Sequence, residues 1–132
     1  MIFATKKVIE QFYIDHVQPQ HPDVKTFFDN VTGQPNGAIA TPWVRHTILE
    51  TERSFLAVGM RQTRVTGTIA LQIFQPAGIG SQLAMDVVET IEREYTGVCA
   101  SGVQFGTVTV NNALVVGDWY QLTVYVAYYA DE

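Results

Sequence analysis

Three histidines and one cysteine are the residues of this chain best suited to bind a metal or to act in nucleophilic chemistry. His16, His21 and His46 are far apart in the sequence, and Cys99 has no second cysteine with which to build a zinc site or an internal disulfide. Cys99 lies in the segment Gly-Val-Cys-Ala-Ser-Gly, where no base that could activate its thiol is evident. The histidines are therefore interpreted as ordinary surface or strand residues, and no metal site is predicted.

A second candidate for chemistry is Gly78-Ile79-Gly80, which precedes a predicted helix capped by Ser81. Backbone N–H groups at such a corner can bind an anion. However, neither the Lys-Ser/Thr pair of a P-loop nor the third glycine of a dinucleotide motif is present. Glycines that allow a turn with positive φ are the favoured interpretation. A small-molecule-binding α/β domain that uses the Gly78 to Ser81 corner is the alternative.

The remaining polar groups do not form a catalytic set. The serines lie in no nucleophile motif, and Glu89, Glu92 and Glu94 fall on the polar side of the same predicted helix, where exposure to solvent is the ordinary outcome. We therefore predict neither an enzyme nor a cofactor.

The arginines suggest contacts with other proteins instead. Arg45, Arg53, Arg61 and Arg64 lie on or near a predicted hairpin whose tip also contains exposed apolar residues, which are unfavourable without a partner. Ordinary solubility is the alternative role for these charges. The residues predicted to form a subunit or tube interface are Arg45, Arg53, Phe55, Leu56, Met60, Arg61, Arg64, Tyr125 and Tyr129.

Composition limits the class of protein. The 132 residues fit one domain, and 47% hydrophobic with 16% charged residues argues against disorder. The net charge of -5 and the lack of a basic cluster disfavour direct nucleic-acid binding. Residues 1–66 carry a net charge of +1 and residues 67–132 carry -6, a polarity that suits head-to-tail assembly. Without a signal-peptide pattern or a long apolar run, a soluble cytoplasmic protein is expected.

Hydrophobic periodicity predicts the elements. Helical spacing indicates helices over residues 2–17 and from Ser81 to Tyr95, with Gly97 as the C-terminal cap of the second. Alternation predicts strands from Pro42, over 63–74, over 103–110 and over 118–129. Residues 18–41 are interpreted as a long loop with room for a short strand at 24–28.

These elements predict a single α/β (α+β) domain in the order α-β-β-α-β-β. The expected architecture is a mostly antiparallel or mixed four-stranded sheet with two helices packed on one face. The second face of the sheet is then not covered by this chain. Its aromatic residues, Tyr125 and Tyr129 among them, favour a neighbouring subunit as the cover.

Several short motifs together resemble the small tail terminator proteins of long-tailed bacteriophages and prophages. The resemblance covers most of the chain from Asn36 onward. It rests on Pro35-Asn36, Trp43-Val44-Arg45, Arg64-x-x-Gly67, Phe74-Gln75-Pro76-x-Gly78-x-Gly80, the helix positions Ala84, Asp86 and Ile91, and Gly117-Asp118-Trp119-Tyr120-Gln121. The chain departs from the family pattern in its 18–41 loop and in its Cys99 to Gly102 segment.

The resemblance implies a non-enzymatic structural protein of the virion tail that is assembled in the host cytoplasm. Such a protein forms a hexameric ring that caps the tail tube, ends its polymerisation and offers a surface for head joining. The implied partners are other copies of the chain, the tail tube protein and a head-completion or neck protein. The family supplies no catalytic residues to transfer. A related neck or tail-completion adaptor, which differs in partner rather than in fold, is the alternative.

Overall fold

The structure is a computed structural model that describes residues 2–28, 42–55, 63–78, 82–111, 114–117 and 119–131. Two helices, a short 3-10 turn and seven strands lie within these ranges. In chain order they are α1 (Ile2–His16), the 3-10 turn (Gln18–Gln20), β1 (Lys25–Phe27), β2 (Trp43–Phe55), β3 (Thr63–Pro76), α2 (Gln82–Tyr95), β4 (Cys99–Ala100), β5 (Val103–Val110), β6 (Leu114–Val116) and β7 (Trp119–Asp131).

All seven strands belong to one mixed sheet with the order β1-β2-β3-β7-β5-β4. Strand β1 is parallel to β2, and the other pairs are antiparallel. Strands β5 and β6 both pair with β7, β5 along its second half and β6 along its first. The last described strand therefore lies in the middle of the sheet, between β3 and β5.

The predicted four-stranded sheet with two helices packed on one face is wrong. The sheet has seven strands and curls into a half-barrel, and strands account for 54% of the described residues. The short strands β4 and β6 escaped prediction because two or three residues are too few to show an alternating pattern. The short strand for which residues 24–28 left room is present as β1, over Lys25–Phe27.

Bulges accompany the curl of the sheet. The pairing of β2 with β3 shifts by one residue between Glu50 and Glu52, and that of β5 with β7 shifts between Phe105 and Val108. An extra residue on one strand bends it and increases its twist, so two bulges on strands that flank the β3–β7 pair favour a curved sheet over a flat one.

Both predicted helices are confirmed. Helix α1 places Ile9, Phe12 and Tyr13 in the core, as its apolar spacing requires. Helix α2 ends at Tyr95 and is followed by Gly97, whose φ of 70° is the left-handed conformation that often terminates a helix. The predicted cap residue Ser81 lies outside the described residues.

The core joins both helices to the inward-facing residues of the sheet. In β3 the buried residues alternate along the strand, and Ile69, Leu71 and Ile73 are fully buried. The rings of Phe12, Tyr95 and Phe105 meet at centroid distances of 4.8 to 4.9 Å and link α1, α2 and β5. Such tilted and edge-on aromatic contacts add to the stabilisation from apolar burial.

Across the described ranges, neither helix has the length and apolar character that a membrane span requires.

Candidate interaction surfaces

The histidines and the cysteine do not converge. The His16 ring packs on Phe12 at 4.3 Å, and Nε2 of His21 is 2.8 Å from the Thr90 hydroxyl. Cys99 is exposed on β4. Among the residues that the structure describes, no group of three or more His, Cys, Asp or Glu side chains is arranged to hold a metal ion.

His46 differs from the ordinary strand residue that was predicted, because its side chain is completely buried. It lies on the inward face of β2, with ring centroids 5.3 Å from Tyr13 and 5.1 Å from Phe28. Neither ring nitrogen has a hydrogen-bond partner among the described residues. Burial lowers the pKa of His46 to about 4, so the imidazole is neutral at physiological pH. The alternating burial of Val44 and Ile48 on either side was the signal that this position faces inward.

The corner before α2 is occupied by a side chain of the chain itself. Gly78 has a φ of 90°, which supports the interpretation that glycine is needed there for backbone geometry. The buried side chain of Gln75 accepts a hydrogen bond from the backbone N–H of Ala84 at 3.0 Å. Since Ala84 lies in the first turn of α2, Gln75 takes one of the N–H groups that an anion would use.

Replacing Gln75 with leucine should lower the free energy of unfolding by about 1–2 kcal/mol, because a buried helix N–H loses its acceptor. Urea denaturation of the purified variant measures the change. Gln72→Leu is the matched control, since Gln72 is half-buried on the opposite face of the same strand. Equal losses in the two variants would contradict the capping role of Gln75.

Two of the predicted interface arginines are engaged within the chain. Arg64 pairs with Asp131 through contacts of 2.8 and 3.1 Å, and its guanidinium lies 4.6 Å from the centroid of the Tyr129 ring. Their hydrogen bond raises the pKa of Arg64 and lowers that of Asp131. Arg53 contacts Glu50 at 2.7 Å. Both arginines lie near the end of β2 and the beginning of β3.

The predicted residues of the hairpin tip fall outside the part of the chain that the structure describes. Leu56, Met60 and Arg61 lie outside the described residues, and the Phe55 side chain does as well. The last described pair of the hairpin is Phe55 with Thr63, next to the pair of Arg64 with Asp131.

Arg45 stands at the other end of the same outward face, beside a cluster of aromatic rings. Its guanidinium lies 5.6 Å from the centroid of Trp43, and Trp43 stacks on Phe74 at 4.0 Å with the planes 9° apart. Trp119 meets Trp43 edge-on at 6.3 Å. Arg45 is half-buried, and the Trp43 ring is placed to interact with its positive charge.

The outward face of β2, β3 and β7 carries little charge in its centre. Two adjacent rows of paired positions cross it, Thr47–Ala70–Tyr125 and Leu49–Thr68–Ala127. Every one of these residues is uncharged and half-buried or exposed, and 47% of Leu49 is exposed. Tyr129 lies on this face too and is 41% exposed, whereas Tyr128 faces the core. The structure thus places the predicted contact residues Arg45, Tyr125, Tyr129 and Arg64 on one surface.

Sequence reasoning missed a groove between helix α2, the end of β5 and the beginning of β7. This α2–β7 groove has a volume of about 370 Å³. The residues that line it are Gln82, Met85, Asp86, Val88 and Glu89 of α2, with Val110 of β5 and Tyr120 and Leu122 of β7. Met85 was the available signal, because it is an apolar residue on the otherwise polar side of an amphipathic helix, and it is 55% exposed.

Comparison with known proteins identifies the fold but not the function. No family model and no curated protein matches the chain. Twenty chains of solved structures match it, and one of them superposes with a TM-score of 0.73, covering 97% of this chain and 93% of its own, at 14% sequence identity. At that identity the similarity shows that the curled-sheet fold is shared, and it shows nothing more.

Proposed function

We propose that this protein is a structural subunit of a bacteriophage tail that assembles into a ring, caps the tail tube and stops its growth. The observation that carries the proposal is the outward sheet face, which combines an uncharged centre with arginines at both ends. Protein interfaces are typically depleted of charge at the core and enriched in tyrosine and arginine. The resemblance of the sequence motifs to tail terminators supplies the kind of partner.

The polarity of charge along the chain supports a ring rather than a two-fold dimer. Residues 1–66 carry a net charge of +1 and residues 67–132 carry -6. A head-to-tail contact brings unlike surfaces together and closes into a ring when the rotation per subunit allows it. Unlike charges on the two sides favour that arrangement.

The decisive experiment is electron microscopy of the protein mixed with tail tubes, together with its mass in solution. We expect rings at one end of the tubes and tubes that no longer elongate. A protein that stays monomeric with and without tubes, and that leaves tube ends bare, would refute the proposal.

Reversing the charge of Arg45 should weaken assembly more than folding. Arg45→Glu places a carboxylate next to Trp43 on the proposed contact face, and an unfavourable charge in an interface typically weakens binding by about tenfold or more. Sedimentation of tube-bound protein measures assembly, and thermal unfolding measures stability. Lys7→Glu makes the same change of charge on the exposed side of α1 and is the control. Equal effects of the two variants on assembly would contradict a contact at Arg45.

The two alternatives differ in what they need from the site. A neck or tail-completion adaptor would use the same face with another partner, so its rings would appear at the neck rather than on isolated tube ends. A small-molecule site at the corner before α2 competes with the Gln75 to Ala84 hydrogen bond, and that contact favours the assembly role.

A further inference from the structure

The α2–β7 groove exposes apolar side chains to water in a single subunit, and that exposure is unfavourable. Met85 is 55% exposed and Val110 is 43% exposed within it. Val115 of β6 pairs with Tyr120 and is 66% exposed, so it extends the apolar wall beyond the groove. Adjacent exposed apolar residues of this kind mark a contact site for another protein segment.

The charges at the groove define what that segment should carry. Asp86 and Glu89 line its helical side, and the described residues that line it include no Lys or Arg. The amide of Gln82 donates a hydrogen bond to Asp86 at 2.9 Å, which leaves the negative charge of that carboxylate in place. An occupant with apolar side chains next to a cation would match the groove in both respects.

The connection between β2 and β3 has this composition. Residues 56–62 read Leu-Ala-Val-Gly-Met-Arg-Gln, and Arg53 and Arg64 flank them. Residues 67–132, which form the groove, offer few cations of their own, because Arg93 is their one basic residue. Arg93 already contacts Gln20 at 2.6 Å.

The sheet register prevents this segment from reaching the groove of its own molecule. Thr63 begins β3, and Ile73, which pairs with Leu122 of the groove, lies ten residues further along the strand. At a rise of about 3.4 Å per residue, this separation is roughly 34 Å. A seven-residue connection that must leave and return can extend only about 12 Å from the strand ends. Only the groove of another molecule is therefore within reach of this segment.

We propose that residues 56–62 of one subunit dock in the α2–β7 groove of a second copy, with Arg61 facing Asp86 and Glu89. The contact joins opposite ends of the sheet and is head-to-tail, so repeating it generates a ring when the rotation per subunit closes. The inference rests on the proposed function and assigns one contact between neighbouring subunits of the ring, in addition to the outward sheet face.

Mixed cysteine variants test the contact directly. In a Cys99→Ser background, Met60→Cys and Met85→Cys proteins are prepared separately, mixed, and oxidised both free and bound to tail tubes. We expect a disulfide-linked heterodimer that forms at least about tenfold faster than in a control mixture of Met60→Cys with Glu92→Cys, because docking raises the effective concentration of one thiol near the other. Glu92 is exposed on α2 and does not line the groove.

A charge exchange gives an independent readout. Arg61→Glu and Glu89→Arg should each weaken self-association by about tenfold, and the double variant should recover most of that loss because the unlike charges are restored in reverse. Glu92→Arg is the control for charge alone. Thermal unfolding of every variant verifies that each one is folded.

The outcomes separate the inference from the proposed function. If rings form but the Met60 to Met85 cross-link does not, or if the double variant recovers no self-association, the groove contact is overturned. The proposed ring function is then still supported. Absence of self-association both in solution and on tubes would overturn both.

Discussion

Replacing Gly67 with alanine should destabilise the protein by about 3 kcal/mol or more, the upper range for forcing a side chain into a packed core. Gly67 lies on the inward face of β3, directly opposite Tyr128 of β7. A Cβ atom there would overlap the carbonyl oxygen of Leu49 in β2 and come within 2.6 Å of Tyr128 Oη. Because the first obstacle is backbone, a change of side-chain rotamer cannot remove it. Urea denaturation measures the loss.

Gly106→Ala is the matched control for the loss of a glycine in a strand. A Cβ at Gly106 would meet the Cβ of Ala127 at 3.6 Å, which is an ordinary van der Waals contact. We expect a change within about 1 kcal/mol, since alanine also reduces the conformational entropy of the unfolded chain. Similar losses for the two variants would show that the close approach of β2 and Tyr128 to Gly67 is not the cause.

The second large effect is acid destabilisation through His46. Its pKa is about 4 in the folded protein and about 6.5 in an unfolded chain, so the unfolded state binds a proton over that interval and the native state does not. The stability that depends on a neutral His46 should therefore be present in full above pH 6.5, and it should be lost progressively as the pH drops towards 4. A difference of about 2.5 pKa units corresponds to roughly 3 kcal/mol.

His46→Leu isolates this contribution, because leucine fills a similar volume and cannot be protonated. Denaturation curves from pH 7.5 to 4 should show that the difference in stability between variant and wild type grows in favour of the variant as the pH falls. At neutral pH the variant should be no less stable, since the wild-type ring nitrogens are buried without hydrogen-bond partners among the described residues. Parallel pH profiles for the two proteins would contradict the assignment.

Local patterns predicted the elements well where one side of a long segment is buried. The spacing of Val87, Ile91 and Tyr95 identified α2, and the alternation of Leu122, Val124 and Val126 identified β7, in which all three are buried. Both patterns are set by residues within a few positions of each other.

The sheet order could not be obtained in the same way. The insertion of β7 between β3 and β5 depends on contacts between segments that are distant in sequence. The periodicity of a single sequence reports only on neighbouring residues, so it cannot predict these contacts. The groove was missed for the same reason, because Met85 and Val110 become neighbours only after folding. Arg45, Arg64, Tyr125 and Tyr129 share the outward face of β2, β3 and β7, and their role as contact residues stays a prediction.

The central position of β7 has a consequence for the order of events during folding. Strands β3 and β5 both pair with β7 and are not neighbours of each other in the sheet. The core that contains Ile69 of β3 and Phe105 of β5 can therefore form only after β7 has paired with both strands. Pairing over such long sequence separations is slow, because the entropy of loop closure is lost before the contacts form. A newly made chain therefore exposes two open sheet edges until then, and a high local concentration of nascent subunits would promote aggregation in competition with assembly.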